Sequence, residues 1–327
     1  VEKSLILTSA TVGYLGAQSA LFALSCVAGV RAWKILRTWD FDATSPRQYA
    51  NEKSAYLVST ILVFLLFFKL LLAVYLVYMI DSLTPFIKAA MCGVGVLNAT
   101  VMGWELLGLK LILLCLFGLW LLVDSKDRKA LDYPHVRLKF RLFLVILFLM
   151  AVELVLDFVV IFSLETQKVV SCCSVTFSNR NELGGFIDLG RSTVGTIFGV
   201  VAMLYGVFGI ASLRFEKFRF IFGIASLIYA GIGLLFIIYT VSPYVYELPT
   251  HTCPFCIIQK EYGYVGYFFY TTLFLGSFYG IRRGFSHAFL KETKNSDILR
   301  SFVWSALFMI LSLWYTLGYF IKNGVWL

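Results

Sequence analysis

The segment His251-Thr252-Cys253-Pro254-Phe255-Cys256 gathers the residue types best able to do chemistry in this chain. Two cysteines three positions apart, separated by a proline and an aromatic residue, suit thiol–disulfide exchange where they open a helix. First-turn N–H groups and the helix dipole stabilise a thiolate there, and proline is preorganised for the first turn. The same spacing can hold a soft metal ion or a static disulfide, so the surroundings must decide. If the helix starts near Cys253, that thiol is the more exposed one and Cys256 lies a turn deeper. Lys260 follows four residues later on the same face, where an ammonium either favours the Cys256 thiolate or snorkels to the interface.

The elements that must position these residues are membrane helices. Of the 327 residues, 60% are hydrophobic and 14% charged; mean hydropathy is +0.83. Soluble domains carry about 25% charged residues. The sequence predicts an all-α, polytopic transmembrane helical bundle of eight spans, at about 5–30, 55–80, 101–124, 142–164, 192–213, 220–241, 263–281 and 301–321. The first apolar run is long, with no small-residue cleavage site before a soluble region, so it reads as a span rather than a cleaved leader. Segment 84–100 is apolar but broken by glycines, which fits an interfacial or re-entrant piece.

The net charge of +9 falls into alternate loops, so it reads as topology rather than as a nucleic-acid surface. Arg31, Lys34, Arg37, Arg47 and Lys53 follow span 1, and Lys126, Arg128, Lys129, Arg137, Lys139 and Arg141 follow span 3. Arg214, Lys217 and Arg219, then Arg282, Arg283, Lys291, Lys294 and Arg300, fill the next two loops on that side. The positive-inside rule puts these loops in the cytoplasm and both termini outside, most simply in a bacterial inner membrane. The expected partners are membrane lipid, an external thiol protein or small thiol, and partner subunits, with no nucleic acid.

This topology sorts the seven cysteines. Cys26 and Cys115 lie in spans and read as packing residues. Cys92, Cys172, Cys173, Cys253 and Cys256 all fall on the outer, oxidising side, where disulfides form and persist. Adjacent cysteines such as Cys172 and Cys173 rarely bond each other, because the ring is strained and easily reduced; they are better suited to partnering other thiols. One reading has one of the pair exchange with Cys253; another has one bond Cys92.

Outer-loop cysteines, two spans, and then CxxC opening a third span resemble the vitamin K epoxide reductase family over residues 142–281. Cys172-Cys173-Ser-Val-Thr-Phe-Ser-Asn179, Leu183-Gly-Gly-Phe and Gly195 carry the likeness of the loop, and Cys253-Pro-Phe-Cys256 that of the active site. The run from Cys253 to Lys260 is also similar to the quinone-reducing motif of the bacterial disulfide-bond protein DsbB. The resemblance implies a four-helix redox bundle at 142–281, between a three-span region at 1–141 and a cytoplasmic loop with the last span at 282–327. It implies a quinone cofactor near Cys256, contacted by Lys260 and Asn179. Cys253 would then exchange with Cys172 or Cys173, which face the external thiol. The sequence departs from the family in its adjacent loop cysteines and four additional spans. Cys92, in Met91-Cys-Gly-Val-Gly-Val-Leu-Asn98, echoes the 173–179 loop and is a further candidate thiol.

Charges inside spans complete the candidates. Lys69 and Glu153 sit at similar depth and are expected to pair, with Asp157 one turn from Glu153; they form either a proton relay or a structural ion pair, beside Glu105 and Lys110 in span 3. No span contains a histidine, and Ile257 follows Cys256, so neither bis-histidine nor covalently attached haem is expected. Two further readings stay open. One is soft-metal handling, Cu or Zn, by His251, Cys253, Cys256, Cys172 and Cys173. The other is a membrane subunit or transporter whose outer disulfides only brace loops.

Overall fold

The computed structural model describes residues 8–41, 45–130, 133–167, 170, 191–249, 251–291 and 295–327. Every regular element among them is helical, and seven helices are long and apolar enough to cross a membrane. The chain is an all-α integral membrane protein. An eighth long helix, Val265–Leu290, has 26 residues; its tyrosine, glycine, serine and threonine content sets it apart from the seven. The helices run several residues past the apolar windows and take in charged residues such as Lys34, Arg37, Arg47 and Lys53 at their ends.

The chain divides into two compact units, Val1–Val170 and Ser171–Leu327. The first contains α1 (Ser9–Thr38), α2 (Pro46–Ser82), the short α3 (Gly93–Asn98), α4 (Gly103–Asp127) and α5 (Val136–Phe162). Helix α1 packs on α2 and α5, and α4 packs on α5. Ala32, Leu62, Leu65, Phe117, Phe140 and Phe143 are among the buried side chains between them. One end of α4 and α5 is clasped by ion pairs of Lys139 with Asp127 (2.6 Å) and Asp124 (3.4 Å), and by the Trp120 indole donating to the Lys139 carbonyl (3.1 Å).

The second unit contains α6 (Arg191–Arg214), α7 (Lys217–Phe236), a π-turn (Ile237–Val241), α8 (Ser242–Tyr246), α9 (Val265–Leu290) and α10 (Ser296–Asn323). Helix α9 packs on α7 and α10, and α6 packs on α7. The α7–α9 crossing is made by glycines: a Cβ on Gly223 would meet the Gly284 Cα at 2.8 Å. Such close approach is how lipid-embedded helices gain packing where water supplies no hydrophobic drive. Gly223→Ala is therefore expected to cost about 1–3 kcal/mol, read as a lower unfolding midpoint in detergent. Gly231→Ala, on the same helix with nothing near its Cβ, should leave the midpoint unchanged or raised.

Both units follow one order: two long helices, a short cysteine-bearing segment, then two long helices. This grouping differs from the boundaries at 141 and 281 expected from the sequence. Span 4, here α5, belongs with the first three because its Glu153 and Asp157 are partners of Lys69 and Lys110. The last span, α10, belongs with α9. Segment 84–100 does not cross. It forms a 3₁₀ turn at Thr84–Phe86 and the six-residue α3, tied to the end of α5 by Lys88 N–H to the Thr166 carbonyl (3.3 Å) and Glu165 N–H to the Ala99 carbonyl (3.2 Å).

Candidate functional site

The cysteine motif lies in the connection between α8 and α9, and it does not open a helix as expected. Cys253–Phe255 form an irregular turn, followed by 3₁₀ turns at Cys256–Ile258 and Lys260–Tyr262. Gly263 (φ 65°) and Tyr264 (φ 58°) are both left-handed, and only then does α9 begin at Val265. Ile257 and Ile258 extend the apolar pattern backwards, which hides this break in the sequence. Neither thiol therefore sits among the first-turn N–H groups of α9, although the first turn of that helix packs against the 3₁₀ turn after Cys256. The local substitute is the Cys256 N–H, which donates to the Cys253 Sγ at 3.3 Å, the kind of bond that favours a thiolate.

The two sulfurs lie within 4.8 Å of each other. A disulfide needs about 2.05 Å, and the remaining gap of at most roughly 3 Å is within one cysteine rotamer change. Cys253 is fully buried, while Cys256 is 7% exposed, so the expected order of exposure is reversed. Two tyrosines hold the turn by its backbone: Tyr246 O–H donates to the Cys253 carbonyl (2.6 Å) and Tyr270 O–H to the Pro254 carbonyl (2.8 Å). The sequence reading missed both. Tyr246 is delivered by the π-turn and Ser242-Pro243, a pairing inside an apolar run that signals an interrupted helix.

Gly266 closes the arrangement from below, since a Cβ there would meet the Ile257 carbonyl carbon at 2.9 Å. Gly266→Ala should push the 3₁₀ turn after Cys256 away from α9 and slow disulfide closure between the two cysteines. Timed thiol trapping of the reduced protein with diamide would detect a slowing of about fivefold or more, the equivalent of ~1 kcal/mol in a barrier. An unchanged rate would remove the role of this contact.

The His251 ring lies against Tyr246 (centroids 4.2 Å), and Tyr262 lies on Tyr246 as well (4.5 Å). Burial, then Cys256, Glu261 and Cys253 nearby, hold the Tyr262 phenol above its usual range, so it stays protonated at neutral pH. Buried His251 Nε2 and Thr252 Oγ1 have no hydrogen-bond partner among the described residues. Lys260 is exposed. Cys172, Cys173 and Asn179 lie outside the described residues. Cys92, in the first unit, is the buried N-cap of α3.

The buried charges of the first unit form a closed circuit. Lys69 donates to Glu153 (2.7 Å) and to the Gln18 side-chain oxygen. Gln18 donates to the Tyr14 hydroxyl (2.9 Å), which donates to Asp157 (2.8 Å). Lys110 joins Asp157 (3.2 Å) back to Glu153 (2.6 Å). All four long helices of the unit contribute. The expected Lys69–Glu153 pair is present. Lys110 bridges both carboxylates, while Glu105 is exposed and takes no part. Tyr14 and Gln18 were not anticipated.

No protein-family model matches the chain, and no curated protein or solved structure matches it. The resemblance to the vitamin K epoxide reductase family rests on residues alone.

Proposed function

We propose that this chain is an integral membrane thiol–disulfide oxidoreductase that exchanges electrons between extracytoplasmic thiols and membrane quinone, through Cys253 and Cys256 with the vicinal pair Cys172 and Cys173. The observation that carries the reading is the buried dithiol, its sulfurs within 4.8 Å, in a turn held by Tyr246 and Tyr270 rather than by sulfur. A turn fixed independently of its S–S bond can open and close that bond without unfolding. Forming the disulfide joins the two Sγ atoms and releases two protons and two electrons; the reverse consumes them. Quinone supplies the matching couple, taking up two electrons and two protons as quinol forms. The fit for such a group rests on His251 Nε2 and Thr252 Oγ1, buried and unpartnered beside the dithiol, where they could hold a carbonyl oxygen. Exposed Lys260 is the weaker candidate for that role.

The reading places eight spans in a bacterial inner membrane, with both termini and the cysteine sites on the external face. The test is quinone-dependent turnover of a dithiol by the full chain in lipid nanodiscs, followed at the quinone absorbance. Activity in the wild type that is lost in Cys253→Ser/Cys256→Ser supports the proposal; full activity in the double variant overturns it. Metal analysis of protein purified under reducing conditions runs alongside. A stoichiometric soft metal that blocks thiol labelling would instead favour metal handling by His251, Cys253 and Cys256 with Cys172 and Cys173.

A further inference from the structure

At the opposite end of α1 from Tyr14, in the first unit, the end of α1 and the starts of α2 and α5 line an open cleft of about 510 Å³. Three guanidinium groups line it: Arg37 from the last turn of α1, Arg47 from the first turn of α2 and Arg137 from the first turn of α5. Asp40 is the single acidic residue among the described residues of the lining. None of the three arginines has a carboxylate partner among the described residues, whereas Arg128 and Lys139 of the same unit pair with Asp124 and Asp127. Trp39 also lines the cleft.

The surrounding backbone is pinned in place. Asn51 donates to the Thr38 carbonyl (3.0 Å), the Asp40 N–H donates to the Gln48 side chain (3.3 Å) and Arg137 donates to the Trp39 carbonyl (3.4 Å). The Arg137 guanidinium is further steadied over the Phe41 ring, 4.9 Å from its centroid. Topology explains why cations lie at this end of the helices, but topological charges need only solvent. It does not account for three planar forks, none with a carboxylate partner among the described residues, lining one concavity. Arginine forks match the oxygen geometry of a phosphoryl group.

We propose that this cleft is a binding site for a phosphoryl oxyanion, held by Arg37, Arg47 and Arg137. The chemistry is shared by the headgroup of an anionic lipid and by a soluble phosphate compound. The site is independent of the cysteine chemistry and does not rest on the proposed function.

The test uses the full chain, delipidated in detergent. Binding of dioleoylphosphatidylglycerol is followed by native mass spectrometry, with dioleoylphosphatidylcholine as the zwitterionic comparison, and binding of inorganic phosphate by calorimetry. Arg37→Gln/Arg47→Gln/Arg137→Gln is compared with Lys34→Gln/Lys53→Gln/Lys129→Gln, which removes equal charge from the same unit outside the cleft lining. The expected result is at least about tenfold weaker binding of one probe in the arginine variant, with the lysine variant within about twofold of wild type. Loss confined to phosphatidylglycerol assigns a lipid headgroup, and loss of inorganic phosphate binding assigns a soluble ligand. Should the triple variant fail to fold, Arg47→Gln, exposed and unpaired, carries the comparison. Equal losses in both triple variants, or no binding of either probe by the wild type, would overturn the proposal.

Discussion

Glu153→Leu is expected to destabilise the first unit by about 3–5 kcal/mol, the usual cost of stranding buried charges by removing their partner. Glu153 accepts from both Lys69 and Lys110, so its loss leaves Lys69 with only a neutral amide, Gln18. Lys110 keeps Asp157 at 3.2 Å. Each intramembrane charge already costs about 2.5–3.5 kcal/mol on insertion scales, and the ring tolerates four because two lysines and two carboxylates sum to zero. That balance makes a sharper expectation. Lys69→Met/Glu153→Leu removes one charge of each sign and leaves Lys110 with Asp157, so it should be less destabilising than Glu153→Leu alone. The coupling energy should exceed about 2 kcal/mol in a double-mutant cycle, read from unfolding midpoints in detergent. Additive losses would mean that the contacts do not act as a unit.

The same pair of variants separates the two roles open to the ring. A structural clasp predicts that the double variant, once folded, turns over dithiol like the wild type. A proton relay predicts a folded double variant with turnover lost. The closed geometry favours the clasp: Lys69, Gln18, Tyr14, Asp157, Lys110 and Glu153 satisfy one another, and a relay would have to open that circuit to pass a proton on.

The ring also shows what a membrane sequence discloses. Depth is a count of residues along an apolar helix, so the pairing of Lys69 with Glu153 is legible in the sequence alone. Rotation is not such a count, because these helices are apolar nearly all round and carry little facial signal. Which side of α1 turns inward decides that Tyr14 and Gln18 complete the circuit, and which side of α4 does so decides that Lys110 bridges while Glu105 faces outward. The extent of α9 was hidden for a related reason. Ile257 and Ile258 continue the apolar run, while the left-handed Gly263 and Tyr264 that end the turn leave only a weak Gly-Tyr signature. The α7–α9 crossing at Gly223 and Gly284 was equally unreadable, since the sequence offers no reason to prefer those two among 25 glycines.

Cys253→Ser and Cys256→Ser should each abolish quinone-linked dithiol turnover, by about 10³-fold or more (some 4 kcal/mol in the barrier), while lowering stability by only about 1 kcal/mol, the cost of a hydroxyl at a buried site. The first half follows from electron counting, because a single remaining thiol cannot form the intramolecular bond. The second half follows from how the turn is held. Tyr246 and Tyr270 grip the carbonyls of Cys253 and Pro254, and serine in place of cysteine leaves both bonds intact. A bracing disulfide predicts the reverse, because removing a native structural bridge costs about 2–5 kcal/mol and would leave turnover untouched. Tyr246→Phe supplies the complementary case. It keeps both thiols but frees the Cys253 carbonyl, so turnover should fall about tenfold, in proportion to a lost hydrogen bond of ~1.4 kcal/mol, with both cysteines still able to close. If Tyr246→Phe is silent while the serine variants are inactive, the dithiol does the chemistry without this tyrosine's support. If the serine variants lose stability and keep activity, the pair is a brace.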